Sequence, residues 1–127
     1  LAGHSDADVL CHALIDALLG AAALGDIGRH FPSDDPRYRD ADSLDLLRRA
    51  VRMTAEAGYR VVNVDATVIA EQPQLSPHID AIRSALAGVL GVETDAVSVK
   101  ATTADRLGAI GRGEGIAALA IALLDST

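Results

Sequence analysis

The 127 residues carry eighteen acidic against eleven basic side chains, a formal net charge of −7, and half of them are hydrophobic, with only Phe31, Tyr38 and Tyr59 as aromatics. That length suits one domain built on small aliphatic layers, and the acidic balance argues against nucleic acid, since it offers no counterion-release binding. The lone Cys11 excludes an internal disulfide and fits a reducing compartment, and charges interrupt every apolar run before the ~20 residues of a membrane span, with no basic segment leading an apolar one as in a signal peptide; the expectation is a cytoplasmic protein with no membrane partner.

The opening stretch LAGHSDADVLCHALIDALLG places His4, Asp8, His12 and Asp16 at every fourth position of an otherwise apolar run. Ser5 followed by Asp8 has the form of a capping box, and the lack of breakers predicts a helix from Asp6 to about Ala23, ending near Gly25. Each fourth residue of a helix advances about 40°, so Asp8, His12 and Asp16 share a stripe roughly 80° wide that can face one ligand. Leu10, Leu14, Leu18 and Ala21 would then pack on a sheet, and Cys11, about 100° from His12, would join the core. A histidine in this position serves equally well as a zinc ligand or as a hydrogen-bonded residue beside the core. Asp8 reads as a cap or as the orienting partner of an imidazole.

From Gly25 to Asp42 the chain is punctuated by Gly and Pro and crowded with aspartates, the chemistry of a surface loop whose length, roughly 18 residues, favours a functional role. Asp42 or Ser43 can cap a second helix with Leu44, Leu47, Val51 and Ala55 facing inward and Gly58 as its stop. From Arg60 the period changes to two, with Val62, Val64, Ala66 and Val68 on the buried face of a strand and Asn63, Asp65 and Thr67 opposite. Ser76-Pro77 reads as the N-cap and first residue of a third helix, directed inward through Ile79, Ile82, Leu86 and Val89 and closed by Gly91. Val97 to Ala101 alternates as a short strand, and Ile116 to Leu124 as a last one. The fold class expected is α/β, an α+β sandwich in which a mixed sheet has helices packed on one face.

A second constellation, KATTADRLGAIGRGEG from Lys100 to Gly115, sets two threonine hydroxyls, Asp105, Arg106 and Arg112 directly after a strand, where phosphate and divalent-metal contacts arise. Without a Gly-Lys-Ser/Thr ending it is no Walker loop, and a Gly-rich turn explains it as well.

Taken together, HSDADVLCHALIDALLGAAALGDIGRHFP, NVDATVIAEQPQLSPHI and VKATTADRLGAIGRGEG resemble the 2-C-methyl-D-erythritol 2,4-cyclodiphosphate synthase family, in order and over essentially the whole chain. The resemblance implies a homotrimer with active sites between subunits, and conversion of 4-diphosphocytidyl-2-C-methyl-D-erythritol 2-phosphate into the cyclic diphosphate and CMP. It implies that His12 ligates zinc, with Asp8 orienting a metal ligand. By the same resemblance His4 and Ser5 contact the methylerythritol phosphate, and His4 and Thr103 stabilise the transition state. Asp26, Ile27 and Gly28 engage the ribose, while Phe31, Pro32, Ser33, Asp34 and Asp35 line the methylerythritol side. Ala70, Glu71, Gln72, Pro73, Gln74, Leu75 and Ser76 correspond to the cytosine pocket. Thr102, Thr103 and Ala104 meet the diphosphate, and Asp105 holds a second divalent ion, Mg²⁺ or Mn²⁺. Ala109 stands where a Phe contacts the ligand, and Arg112 resembles a residue near the threefold axis, where an isoprenoid diphosphate can sit.

Asp105 replaces a common Glu, Ser33 a frequent Asp, and Gln74 and Ser76 a Lys and a larger apolar residue. The family's Asp-x-His pair, the source of two further zinc ligands, lies in an N-terminal segment outside this sequence. Without it, zinc binding and cyclisation would be poor, which leaves open a trimeric nucleotide- or isoprenoid-diphosphate-binding protein with an incomplete metal site, or the cyclase half of a bifunctional chain.

Overall fold

The computed structural model describes the backbone of residues 2–38, 41–71 and 75–127; the side chains of residues 2–6 and of Ser76 lie outside the description. Helix α1 spans Ala2–Ala21, so Ser5 and Asp8 fall inside it and the capping box expected there does not form. Its inward face is Leu10, Leu14, Ile15, Leu18 and Leu19, all fully buried, with Cys11 beside them at 3 % exposure. Each such leucine contributes roughly 1.5–3 kcal/mol relative to an exposed one. Ala21, expected on the sheet, is exposed, and Ala22 takes the inward position instead.

A short helix α2, Ile27–His30, interrupts the loop that follows; Asp26 caps it by accepting from the Arg29 N–H. Helix α3, Ser43–Glu56, starts at Asp42, whose carboxylate accepts from the Leu44 N–H at 2.9 Å. Its buried face is Leu46, Leu47, Ala50 and Thr54. Of the expected set only Leu47 is fully buried, while Leu44 and Val51 are half-buried and Ala55 is exposed. The face shifted because Thr54 can go inside: its hydroxyl donates to the Ala50 carbonyl at 2.8 Å.

Strand β1, Tyr59–Ile69, is the centre of a three-stranded sheet. It pairs in parallel with β2, Val97–Thr102, and antiparallel with β3, Ala117–Ser126. The pairing with β3 slips between Val61 and Asn63, so Val62 is an extra residue opposite none. This bulge breaks the alternation and sets Val61 against the core in place of Val62, which corrects the expected face at its first member; Val64, Ala66 and Val68 follow the pattern. The parallel pair requires a crossover, supplied by α4, Ile79–Leu90. Ser76–His78 form a 3₁₀ turn before it, so His78 occupies the N-cap and Pro77 is not the first α-helical residue. Leu86, Ala87 and Leu90 are its buried residues; Ile79, Ile82 and Val89 pack against them half-buried. Gly91 closes α4 in the left-handed region at φ 73°.

Helix α1 lies against β3, β1 and α3, and α4 against β2 and α3, so the helices share one face of the sheet. Along β3, Ala118, Ala120, Ala122 and Leu124 touch the core beneath them. Leu119, Ile121 and Leu123 alternate onto the opposite face and stand 67, 73 and 54 % exposed.

Candidate functional site

The stripe of α1 faces a cleft of about 490 Å³ bounded by α2, the loop after it and the start of α3. Asp8 and His12 enter it from α1, Ile27 and Gly28 from α2, Phe31, Ser33 and Tyr38 from the loop, and Ser43 and Leu46 from α3. Asp8 is half-buried and accepts a hydrogen bond from the Ser43 hydroxyl, a link between helices 35 residues apart in sequence. His12 is exposed. Asp16, one turn further, accepts from the Ile27 N–H at 2.7 Å and so fixes α2 against α1. The stripe thus carries one carboxylate braced from α3, one open imidazole, and one carboxylate used as a tether.

The loop wall has its own order. Phe31 packs edge-on to Tyr38 with ring centres 5.3 Å apart. Asp35 accepts from both the backbone N–H and the guanidinium of Arg37, at 2.9 and 2.8 Å, and these hydrogen bonds hold its carboxyl below the usual range. Asp34 is exposed and Pro32 half-buried. The residues expected on the methylerythritol side therefore divide: Phe31 and Ser33 line the cleft, and Asp35 shapes the loop.

A second polar group gathers where β1 and β2 end together. The Ala70 N–H donates to the Thr102 carbonyl at 3.0 Å. One oxygen of Glu71 then accepts from the N–H groups of Ala104 and Arg106, at 2.9 and 2.8 Å. Between those two residues the Asp105 N–H donates to the Thr103 hydroxyl at 3.1 Å. Asp105 and Arg106 both lie in the left-handed region, φ 53° and 63°, where a non-glycine residue is held only by its surroundings. The helical turn α5, Gly108–Gly111, closes the loop; a Cβ on Gly111 would come within 2.1 Å of the Arg106 carbonyl carbon, so only glycine fits there. Thr102, Thr103 and Asp105 are exposed, Leu75 is buried in the core, and Arg112 is ion-paired with Glu114.

None of this second group lines the first cleft. Among the described residues no three His, Cys, Asp or Glu side chains gather as a metal site. His4 and Ser5 lie on the first turns of α1, but their side chains, together with Gln72, Pro73, Gln74 and the Ser76 side chain, fall outside the described residues. Sequence reasoning missed the parts played by Tyr38, Ser43 and Leu46 in the wall. The adjacency of Ser43 to a capping aspartate was the available signal for one of them.

A family model described as the YgbB family matches residues 1–125. The chain is 65 % identical over 125 residues to the 2-C-methyl-D-erythritol 2,4-cyclodiphosphate synthase of Thioalkalivibrio sulfidiphilus, covering 98 % of this chain and 78 % of that protein. It is 63 % identical over 124 residues to the synthase of the same name from Moorella thermoacetica, covering 98 and 76 %. Among solved structures it is similar to the bifunctional IspDF of Campylobacter jejuni, with a TM-score of 0.90 and 41 % identity, over 94 % of this chain and 32 % of that one. It is also similar to Plasmodium falciparum IspF in complex with CDP, with a TM-score of 0.81 and 32 % identity, over 94 and 71 %.

Proposed function

The chain belongs to the YgbB family, and we propose that its two polar groups are the halves of one active site. The reaction is that of its synthase relatives, a phosphorus–oxygen lyase step of non-mevalonate isoprenoid synthesis. The 2-phosphate of 4-diphosphocytidyl-2-C-methyl-D-erythritol 2-phosphate attacks the β-phosphorus, the bond from that phosphorus to the oxygen of CMP breaks, and CMP leaves. Substrate supplies both nucleophile and leaving group, so the protein contributes position and charge neutralisation.

The observation that carries this reading is the separation of the halves. The α1 cleft holds Asp8 and His12, the Glu71-organised loop presents Thr102, Thr103 and Asp105, and neither lines the other. A homotrimer would bring one subunit's cleft to its neighbour's loop. Its interface is the exposed apolar face of β3 formed by Leu119, Ile121 and Leu123, a row that water would not otherwise be left to cover.

The open imidazole of His12, one turn from a carboxylate braced by Ser43, fits one zinc ligand with an orienting partner. The other ligands in this reading are the family's Asp-x-His pair, outside the sequence above. Zinc, when bound, would act as a Lewis acid on phosphate oxygens. Asp105 offers the hard oxygen donor suited to Mg²⁺ or Mn²⁺, beside two threonine hydroxyls that can meet the diphosphate. Asp26, Ile27 and Gly28 take the ribose, with the first two already fixed by the α2 cap and the Asp16 tether. The strand-end segment from Ala70 to Ser76 takes cytosine, in keeping with the CDP bound to the Plasmodium relative. His4 and Thr103 would stabilise the transition state, and Arg112 would serve an isoprenoid diphosphate on the threefold axis.

Phosphorus NMR with this substrate, Zn²⁺ and Mg²⁺ tests the reading on the chain joined to a family Asp-x-His segment: the expected result is stoichiometric CMP and cyclic diphosphate. Binding of CMP without product would instead favour a nucleotide-binding protein with an incomplete metal site.

A further inference from the structure

The cleft that would receive a substrate bearing a diphosphate and a further phosphate is lined by Asp8 and His12 and, among the described residues, by no lysine or arginine. The chain as a whole carries a net charge of −7, so its field opposes such a ligand. Two described cations stand one layer out. The guanidinium carbons of Arg37 and Arg49 lie 5.1 and 5.8 Å from the ring centre of Tyr38, both within cation–π range of a residue that itself walls the cleft. Arg37 belongs to the loop, and Arg49 comes from α3, so the stack also ties loop to helix. Arg37 is largely cancelled by Asp35. Arg49 has no carboxylate partner among the described residues, whereas its neighbour Arg48 is paired with Asp45. Arg49 and Arg52, one turn on, line a hollow on the outer side of the same helix.

We propose that Arg49, with Arg37 as the weaker member, forms a cationic rim on Tyr38 that captures a phosphate monoester of the substrate at the mouth of the cleft. This rests on the substrate class proposed above and adds to it residues for phosphate capture. The planar guanidinium suits the task because it can stack on the ring with one face and donate to phosphate oxygens along its edge. Stacking also spares the side chain part of the ordering cost that a free arginine meets on binding.

The test is steady-state turnover of the cytidyl methylerythritol 2-phosphate substrate across ionic strength for the wild type and for Arg49→Gln, Arg49→Lys, Arg37→Gln and Arg60→Gln. Arg49→Gln should raise KM about fivefold at low salt with kcat unchanged, the size of one exposed charge contact, and flatten the dependence of kcat/KM on salt. Arg37→Gln should do so about twofold, because Asp35 already offsets it. Arg49→Lys should restore the salt dependence. Arg60→Gln, which removes a cation of β1 paired with Asp125 of β3, should behave as wild type. A KM and salt slope unchanged in Arg49→Gln would overturn the rim while leaving the catalytic reading intact. An Arg49→Lys variant whose kcat/KM is as flat with salt as that of Arg49→Gln would also overturn it, since the retained charge would then do nothing for the substrate. If the wild type does not turn over, calorimetric titration of the same substrate decides: weaker binding to Arg49→Gln supports the rim, and equal binding removes it.

Discussion

Between α1 and the helices beside it, position is set by side chains that reach from one helix to another: Ser43 of α3 to Asp8, and Asp16 to the N–H of Ile27 in α2. Beyond β2, a single carboxylate oxygen of Glu71 gathers the backbone of Ala104 and Arg106, and the loop so formed holds two non-glycine residues at positive φ. The first arrangement inherits its rigidity from a core in which Leu10, Leu14 and Leu18 are fully buried. The second stores strain and depends on a few hydrogen bonds to keep it. One half should therefore tolerate loss of a polar contact, and the other should not.

The largest effects separate the chemical duties of the halves. His12→Ala should reduce zinc to background by metal analysis and abolish turnover with little change in melting temperature, since the side chain is exposed. Asp105→Ala should spare zinc while weakening Mg²⁺ and diphosphate binding; equal loss of both metals in both variants would contradict the division. Ile121→Asp, on the bare face of β3, should leave a folded single chain by light scattering and abolish turnover by parting the halves. Next comes the direct comparison of supports. Glu71→Ala leaves two backbone donors without their charged acceptor, and should cost roughly 1–3 kcal/mol in denaturant unfolding and raise KM about tenfold. Asp16→Ala frees one donor at an exposed helix start and should cost about 1 kcal/mol, with a KM change within about threefold, as RT ln 3 is smaller than that loss.

The change with the least bearing on turnover is a pH dependence on the helix side. Burial first, and then the charges of Asp8 and Asp42, push the Cys11 thiol up to about 11. Its neutral form is the one the fold accepts, so the unfolded chain loses this proton first. Stability from this group is intact below the ordinary thiol value of 9.0 and is lost progressively as pH rises toward about 11. Denaturant midpoints measured from pH 8 to 11 should fall in the native chain and fall less in Cys11→Ala.

What could be read beforehand followed from local rules. The Asp42 cap and the Gly91 stop need only neighbours in sequence and appear where spacing put them; the apolar run of α1 and the period-two strands also form, with Ala21 and Val62 displaced from their expected faces. The bulge at Val62 was not legible, because it is decided by which residue of β3 lies opposite. The inward turn of Thr54 was missed because only the finished helix offers its hydroxyl the Ala50 carbonyl. At the site, motifs brought Asp8, His12, Ile27, Gly28 and Phe31 to notice, and all of them line the cleft. Glu71 was expected beside a base; its work as organiser of a loop 33 residues away is a tertiary fact without a local signature. The stack of Tyr38 on Arg49 is of the same kind.

The sheet order also governs when the molecule can form. Helix α1 is the first of these elements to leave a ribosome and β3 the last, yet α1 rests chiefly on β3. Strand β1 likewise waits for β3 across more than half the chain, from Tyr59 to its partner Ser126. Contacts so distant in sequence close slowly, and until they do the leucine-rich face of α1 has only α3 and β1 to cover it. Nascent chains should therefore rely on chaperone holding until β3 emerges, and a refolding assay should find α1 helical well before the Leu14 and Leu18 side chains become protected.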